Sequence, residues 1–179
     1  MTWIYQTILI IVILQNVITN ILSIPVEPKT SIHRLETRYY FDYFDYFDGG
    51  NQAENDYCIS ILHPTRALDC DKARDLAEEA LAKAKNNFPE STLHNGSGDA
   101  YRHCYWSGLL TFEFGVSGAK GFGDRHEDYP KNPSGEKAMD LNNNNVGRTV
   151  ASQIKKGDKN ALSAACKQAL TDGRLKTLN

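Results

Sequence analysis

From Cys58 onward, apolar residues recur at intervals of three and four positions, which is the period of an amphipathic helix. The first stripe follows Asp69 and Asp71, either of which can cap the start of a helix. Phe88-Pro89 ends this predicted helix, because proline cannot continue it. The stripe consists of Ala73, Leu76, Ala77, Ala80, Leu81 and Ala84.

The same period predicts four further helices. They span about 99–115, 117–127, 136–156 and 158–170, and Gly115 and Gly157 are two of the predicted stops. Asp158 can cap the last of them. No segment alternates between apolar and polar residues as a half-buried strand does. The pattern therefore predicts a small all-α bundle of about five helices.

The N-terminal part of the chain has a different pattern. Residues 1–23 contain no charged side chain and include an apolar run at 8–14, as expected of a secretory signal peptide. An uncleaved membrane anchor is the alternative. Residues 24–55 contain a short Asp-Tyr-Phe repeat. This composition predicts a disordered low-complexity lead-in; the alternative, which we favour less, is a segment for tyrosine sulfation or partner binding. The helical domain would then occupy residues 56–179.

Charge and cysteine content limit which cellular compartment and which kinds of binding partner the sequence is compatible with. A formal net charge of −2 offers no clustered basic face for nucleic acid and no attraction to anionic membrane surfaces. After signal cleavage, no segment is apolar enough for stable membrane insertion. All four cysteines follow the predicted signal, which favours two disulfides in a secreted, extracellular protein. The sequence contains no Cys-x-x-Cys pair, so a zinc site built from these cysteines is not expected.

Four cysteines allow three disulfide pairings. We prefer Cys58–Cys70, which closes a short loop before the first helix, together with Cys104–Cys166, which joins the second helix to the last. By chain entropy the short loop would stabilise the fold by about 3 kcal/mol and the long loop by about 4–5 kcal/mol.

Polar residues that are uncommon on solvated helices concentrate between residues 94 and 148. Asp99 and His103 lie four positions apart, so they share one helix face. His126 and Glu127 are adjacent, so at most one of them easily faces the same cavity. No part of this region matches the zinc-protease pattern His-Glu-x-x-His.

A further face of the predicted fourth helix carries Asp140, Asn143 and Asn144, at spacings of three and four. If these helices meet, the carboxylates and histidines can serve as acids and bases, and the amides can bind substrate. They can also bind a divalent metal, with His103, His126 and Asp140 as candidate ligands.

Structural roles are the alternative for each residue. Asp99 can be a helix cap, His103 a hydrogen-bonded core residue, and the asparagines members of a buried polar network. Arg102 can bind an anionic substrate in bidentate fashion or form an internal salt bridge. Asn95-Gly96-Ser97 is a glycosylation sequon, although Asn-Gly is also a common turn element.

Three blocks of this region resemble an uncharacterised helical domain of small secreted animal proteins and of large bacterial secreted or toxin-like proteins. The blocks are Asn95-Gly96-x-x-Asp99-Ala100-Tyr101-Arg102-His103-x-x-Trp106, His126-Glu127, and Met139-Asp140-Leu141-x-Asn143-Asn144-x-x-Gly147-Arg148. The resemblance implies that the acidic, basic and amide residues of these blocks form one site. Bacterial members often have histidine where this chain has Asn142. If that histidine is a ligand, this chain lacks it.

Two functions follow from the sequence. The first is a small secreted hydrolase of an anionic phosphoester or lipid, assisted by a metal or by acid–base groups. Its catalytic residues would be Asp99, His103, His126, Glu127 and Asp140, and its substrate-binding residues would be Arg102, Asn143 and Asn144. The second is a secreted binding protein without catalytic activity, in which the polar cluster is structural.

Overall fold

The computed structural model describes residues 51–58, 63 and 65–179, so the predicted signal peptide and most of the lead-in lie outside the described residues. The described part is all-helical and contains no strand. Its helices are α1 (Gln52–Cys58), α2 (Arg66–Lys85), α3 (Ser97–His126), α4 (Ser134–Ala151) and α5 (Lys159–Thr171), with a 3₁₀ turn at Glu90–Thr92. Within these ranges, no helix is both long and apolar enough to span a lipid bilayer.

Helix α2 buries the apolar stripe that the sequence predicts, apart from Leu81, which is only half-buried. The helix begins at Arg66, ahead of the predicted caps at Asp69 and Asp71. Asp69 therefore lies in the first turn, where a carboxylate still interacts favourably with the helix dipole.

Helix α3 folds back on itself at Gly115, which has φ 72° and ψ 173°. This backbone conformation is open to glycine and strongly disfavoured for other residues. Along an unbroken helix, with a rise of about 1.5 Å per residue, His103 and His126 would be tens of ångströms apart. Their ring centroids are instead 6.0 Å apart. The two arms of α3 correspond to the second and third helices predicted from the sequence.

Helix α4 packs closely against the first arm of α3. A Cβ atom built on Gly147 would lie 2.1 Å from the carbonyl oxygen of Cys104, so only glycine permits this approach. The helix ends at Ala151, whereas the sequence predicted helix as far as residue 156. Helix α5 begins after Asp158, whose side chain accepts a hydrogen bond from the backbone N–H of Ala161, as predicted.

Two disulfides hold the outer helices in place. Cys58–Cys70 joins α1 to α2, and Cys104–Cys166 joins α3 to α5. This is the preferred pairing of the sequence analysis. Helix α1 crosses the expected domain boundary at residue 56, and Asn51 and Glu54 are both buried.

Candidate functional site

A cleft of about 670 Å³ lies beside the two arms of α3 and the first turns of α4. Tyr129, Pro130 and Lys131, in the loop after α3, are exposed lining residues. A volume of this size is typical of small-molecule sites. The other lining residues are Asn51, His94, Asn95, Asp99, Arg102, His103, His126, Glu127, Glu136 and Asp140. The cleft thus contains all five predicted catalytic residues, and Arg102.

The first arm of α3 contributes Asp99, Arg102 and His103 to the cleft. Asp99 is not the N-cap, since the helix begins at Ser97. Its Oδ2 accepts a hydrogen bond from the backbone N–H of Asn95 at 2.7 Å. Its Oδ1 accepts from Nη2 of Arg102 at 2.6 Å, and the same Nη2 lies 2.7 Å from Nε2 of His103. Arg102 therefore bridges the carboxylate and the imidazole.

Helix α4 brings Asp140 to the same imidazole nitrogen. Oδ1 of Asp140 lies 3.3 Å from Nε2 of His103, and Oδ1 of Asp99 lies 3.6 Å from it. One candidate ligand atom from each of these three buried residues lies within 4.8 Å of the other two. Oδ1 of Asp140 is buried and has no hydrogen-bond partner among the described residues. These residues form a candidate metal centre, in which Asp99 replaces the expected ligand His126.

Glu127 lies on the opposite side of the His103 ring. Its Oε1 is 3.7 Å from Nδ1 of His103 and accepts a hydrogen bond from Nδ2 of Asn144 at 3.2 Å. Its Oε2 accepts from Nδ2 of Asn132 at 3.3 Å. The glutamate is therefore held facing the imidazole nitrogen that points away from the aspartates.

His126 lines the cleft but lies outside the candidate metal centre. Its ring packs edge-on against Trp106 with the centroids 5.0 Å apart. Its Nδ1 lies 3.8 Å from Oε1 of Glu54, a residue of α1. Asn51 donates hydrogen bonds to the carbonyl groups of Arg125 and His126, at 2.6 and 3.1 Å. Helix α1 therefore packs against the end of α3 that carries His126.

Burial and mutual repulsion raise the pKa values of several carboxyl groups here. Burial, with the charge of Glu127, raises the pKa of Asp140 to about 8. Burial also raises the pKa of Glu127 to about 7, although the Arg102 guanidinium opposes the shift. Burial alone would raise the pKa of Asp99, but Arg102 and His103 hold it below its usual value. The cluster therefore contains more carboxyl groups than its one arginine neutralises.

Both histidines in the cleft favour the neutral form. Burial and the nearby Arg102 charge hold the pKa of His103 well below its usual value. The same two causes lower the pKa of His126 to about 3. A neutral imidazole is the form that binds metals and accepts protons.

The two amides predicted to bind substrate do not line the cleft. Both ends of the Asn143 amide bond to the backbone of Lys176, with Nδ2 donating to the carbonyl at 3.0 Å and Oδ1 accepting from N–H at 2.8 Å. Asn144 is fully buried beside Glu127. Asn142 donates to the carbonyl of Arg174 at 3.0 Å. Its side chain therefore faces the C-terminal segment, and it is not a lining residue of the cleft.

Asn95 forms part of the cleft wall. Its Nδ2 donates to Oε1 of Glu136 at 3.0 Å, and its carbonyl accepts from the backbone N–H of Leu178 at 2.8 Å. Its φ of 61° fits the left-handed region that asparagine tolerates best after glycine. A glycan on Asn95 would stand at the cleft, and glycosylation there stays a prediction.

Among the residues that line or support the cleft, sequence reasoning missed Asn51, Glu54, Asn132 and Glu136, and also the loop residues Tyr129, Pro130 and Lys131. Glu136 lies four positions before Asp140 in the same helix, so helical spacing could have identified it. Asn132 lies in the loop before that helix, where no helical spacing applies. Asn51 and Glu54 follow the Asp-Tyr-Phe repeat, and no local pattern sets them apart from that segment.

Fold and site together define a disulfide-linked all-helical domain with a buried histidine–aspartate cluster. The chain belongs to the family described as a domain of unknown function (DUF6973), whose sequence model matches residues 58–174. The match begins at Cys58 and includes α2 to α5, so it contains the whole histidine–aspartate cluster. This agrees with the resemblance to an uncharacterised domain. No solved structure matches the chain.

Proposed function

We propose that the chain is a secreted hydrolase that uses a divalent metal ion in the cleft to cleave an anionic phosphoester. The observation that carries the proposal is the convergence of Asp99, His103 and Asp140, with ligand atoms within 4.8 Å of one another. Two carboxylate oxygens and one imidazole nitrogen suit a divalent ion such as Mn²⁺ or Zn²⁺. Three protein ligands leave coordination positions open for water and substrate.

The surroundings of His103 support its role as a ligand. A metal-binding histidine usually directs its second ring nitrogen to a carboxylate, which fixes the tautomer and the ring orientation. Here Nε2 faces the two aspartates and Nδ1 faces Glu127 at 3.7 Å. Glu127 would therefore position the ligand, and Asn144 would hold Glu127.

The ion would supply a water molecule of lowered pKa and would polarise the phosphoryl oxygen. His126 is neutral and lines the cleft, so it can hydrogen-bond the substrate. Exposed Lys131 adds a positive charge to the same cleft. The disulfides, which are typical of oxidising compartments, support secretion.

The proposal is tested by metal titration and phosphodiester hydrolysis with the wild type, His103→Ala and Asp140→Asn. We expect the wild type to bind one Mn²⁺ or Zn²⁺ and to hydrolyse bis(4-nitrophenyl) phosphate. Each variant should lose both properties by at least about a hundredfold, because each removes a ligand of the ion. Asp128→Asn is the control, since Asp128 is exposed beside the cleft and pairs with Lys137.

A structural role for the cluster is the second candidate, and the bridge that Arg102 forms between Asp99 and His103 favours it. In that case the protein would be a binding protein without catalytic activity. The wild type would then bind no ion and would not hydrolyse the phosphodiester, while both variants would unfold at lower temperature.

A further inference from the structure

The guanidinium group of Arg102 lies where a bound ion would bridge two of its ligands. Nη2 is 2.6 Å from Oδ1 of Asp99 and 2.7 Å from Nε2 of His103. Those two ligand atoms are themselves 3.6 Å apart. An ion at the usual distance of about 2.0–2.3 Å from both atoms would therefore touch Nη2. Two cations cannot share this position.

We infer that Arg102 is displaced when a divalent ion binds, and that its guanidinium then binds the anionic group of the substrate. The inference rests on the proposed metal site. Arg102 serves as an internal cation that keeps Asp99 and His103 together until the ion replaces it. After displacement it lies next to the ion, where a phosphate can bridge the two positive charges.

The position of Arg102 permits this movement. Its side chain is 15% exposed, whereas that of Asp99 is 4% exposed and that of His103 is 2% exposed. It lines the cleft and also a second, smaller cavity that Glu54 and Trp106 line. The guanidinium can therefore leave its partners by a side-chain rotation, without movement of the helix.

Charge explains why the exchange is favourable in the presence of the ion. The site contains three carboxyl groups, from Asp99, Glu127 and Asp140, around His103 and the guanidinium of Arg102. A divalent ion neutralises this group better than one guanidinium does. The freed arginine offers paired N–H donors that match a phosphate oxygen pair. A phosphoester is therefore a better substrate than a neutral ester.

The competition is tested by titrating Mn²⁺ into the wild type, Arg102→Gln and Arg102→Lys, with detection of free Mn²⁺ by electron paramagnetic resonance. Arg102→Gln should bind Mn²⁺ at least about tenfold more tightly than the wild type, because the competing charge is gone. Arg102→Lys keeps the charge and should bind as the wild type does. Exposed Arg174 provides the control Arg174→Gln. Equal or weaker binding by Arg102→Gln would overturn the inference, even if the wild type binds the ion.

The second role is tested with inorganic phosphate as the probe, through the broadening of its ³¹P resonance by bound Mn²⁺. The Mn²⁺-loaded wild type should bind phosphate at least about tenfold more tightly than Mn²⁺-loaded Arg102→Gln. Equal affinities would show that Arg102 does not contact the anion. If the wild type and Arg102→Gln both fail to bind Mn²⁺, the proposed metal site itself is wrong. The two failures are therefore distinguishable.

Discussion

At the scale of single residues, Glu54 is a carboxyl group whose pKa burial strongly affects. It is 4% exposed, and neither of its oxygens has a hydrogen-bond partner among the described residues. Burial, together with the charge of Glu127, raises its pKa to about 9. The folded protein therefore binds this proton more tightly than the unfolded chain does. Its contribution to stability is present at low pH and is lost as the pH rises towards 9.

Glu54→Gln should make stability less dependent on pH. The amide cannot ionise, so the loss that ionisation of Glu54 causes between about pH 5 and pH 9 should disappear. Urea unfolding at several pH values measures this slope for the variant and the wild type. Asp56→Asn, on the exposed face of α1, is the control and should leave the slope unchanged. Parallel slopes for Glu54→Gln and the wild type would contradict the prediction.

The sequence predicted some cleft residues and not others for a physical reason. Asp99 and His103 share a helix face, so their spacing alone places them together. Asp140 meets them only because α4 packs on α3, which no local pattern specifies. Glu54 reaches His126 from a separate helix after a low-complexity segment, so only the tertiary contact identifies it.

At the scale of elements, the contact between α3 and α4 decides whether the candidate metal centre exists. Asp99 and His103 belong to one helix and Asp140 to the other. Gly147, two turns after Asp140, sets how closely these helices approach, because its Cα hydrogen faces the carbonyl of Cys104. The glycine of the third sequence block is therefore a packing residue of the site.

Gly147→Ala should destabilise the fold by about 3 kcal/mol or more, since the added methyl group meets backbone rather than a flexible side chain. It should also weaken Mn²⁺ binding, because α4 would carry Asp140 away from His103. Thermal unfolding and Mn²⁺ titration measure the two effects. Gly135→Ala is the matched control in the same helix, since its Cβ would meet only Leu178 at 3.8 Å. Similar stabilities for the two variants would contradict this packing role.

Periodicity predicted the helices of the domain better than their ends. The buried stripe of α2 and the cap at Asp158 follow from local sequence. Residues 152–156 continue the apolar spacing of α4 through Ile154, yet the helix ends at Ala151. Helix α1 is short and has no apolar stripe that periodicity could detect. The hydrogen bonds of Asn51, the contact of Tyr57 with Phe122 and the Cys58–Cys70 disulfide attach it to the rest of the domain.

At the scale of the whole molecule, the C-terminal segment after α5 packs against α4 and the loop before α3. The backbone N–H and carbonyl of Lys176 both form hydrogen bonds with the side-chain amide of Asn143. The backbone N–H groups of Leu178 and Asn179 donate to the carbonyl of Asn95. The segment thus connects α4 to the loop before α3. These last residues lie beyond the family match, which ends at residue 174.

Deletion of residues 176–179 should therefore lower the melting temperature, because the buried amide of Asn143 loses both of its hydrogen bonds to Lys176 and keeps only the one from Asn142. Each unsatisfied buried group costs about 1–3 kcal/mol. Deletion of residues 178–179 alone is the control, since it keeps the Lys176 contacts and should cost less. Differential scanning calorimetry of the three proteins makes the comparison. Equal melting temperatures for the two deletions would show that the Asn143 contacts add nothing.

The reversal of α3 at Gly115 also has a consequence for the order of folding. Asp99, His103, His126 and Glu127 all belong to one hairpin and the residue that follows it. When residues close in sequence come into contact, the chain loses little loop-closure entropy, so such contacts form early in folding. Most of the candidate site can therefore form as a local unit. Docking of α4 then adds Asp140, and the Cys104–Cys166 bond fixes the hairpin to α5.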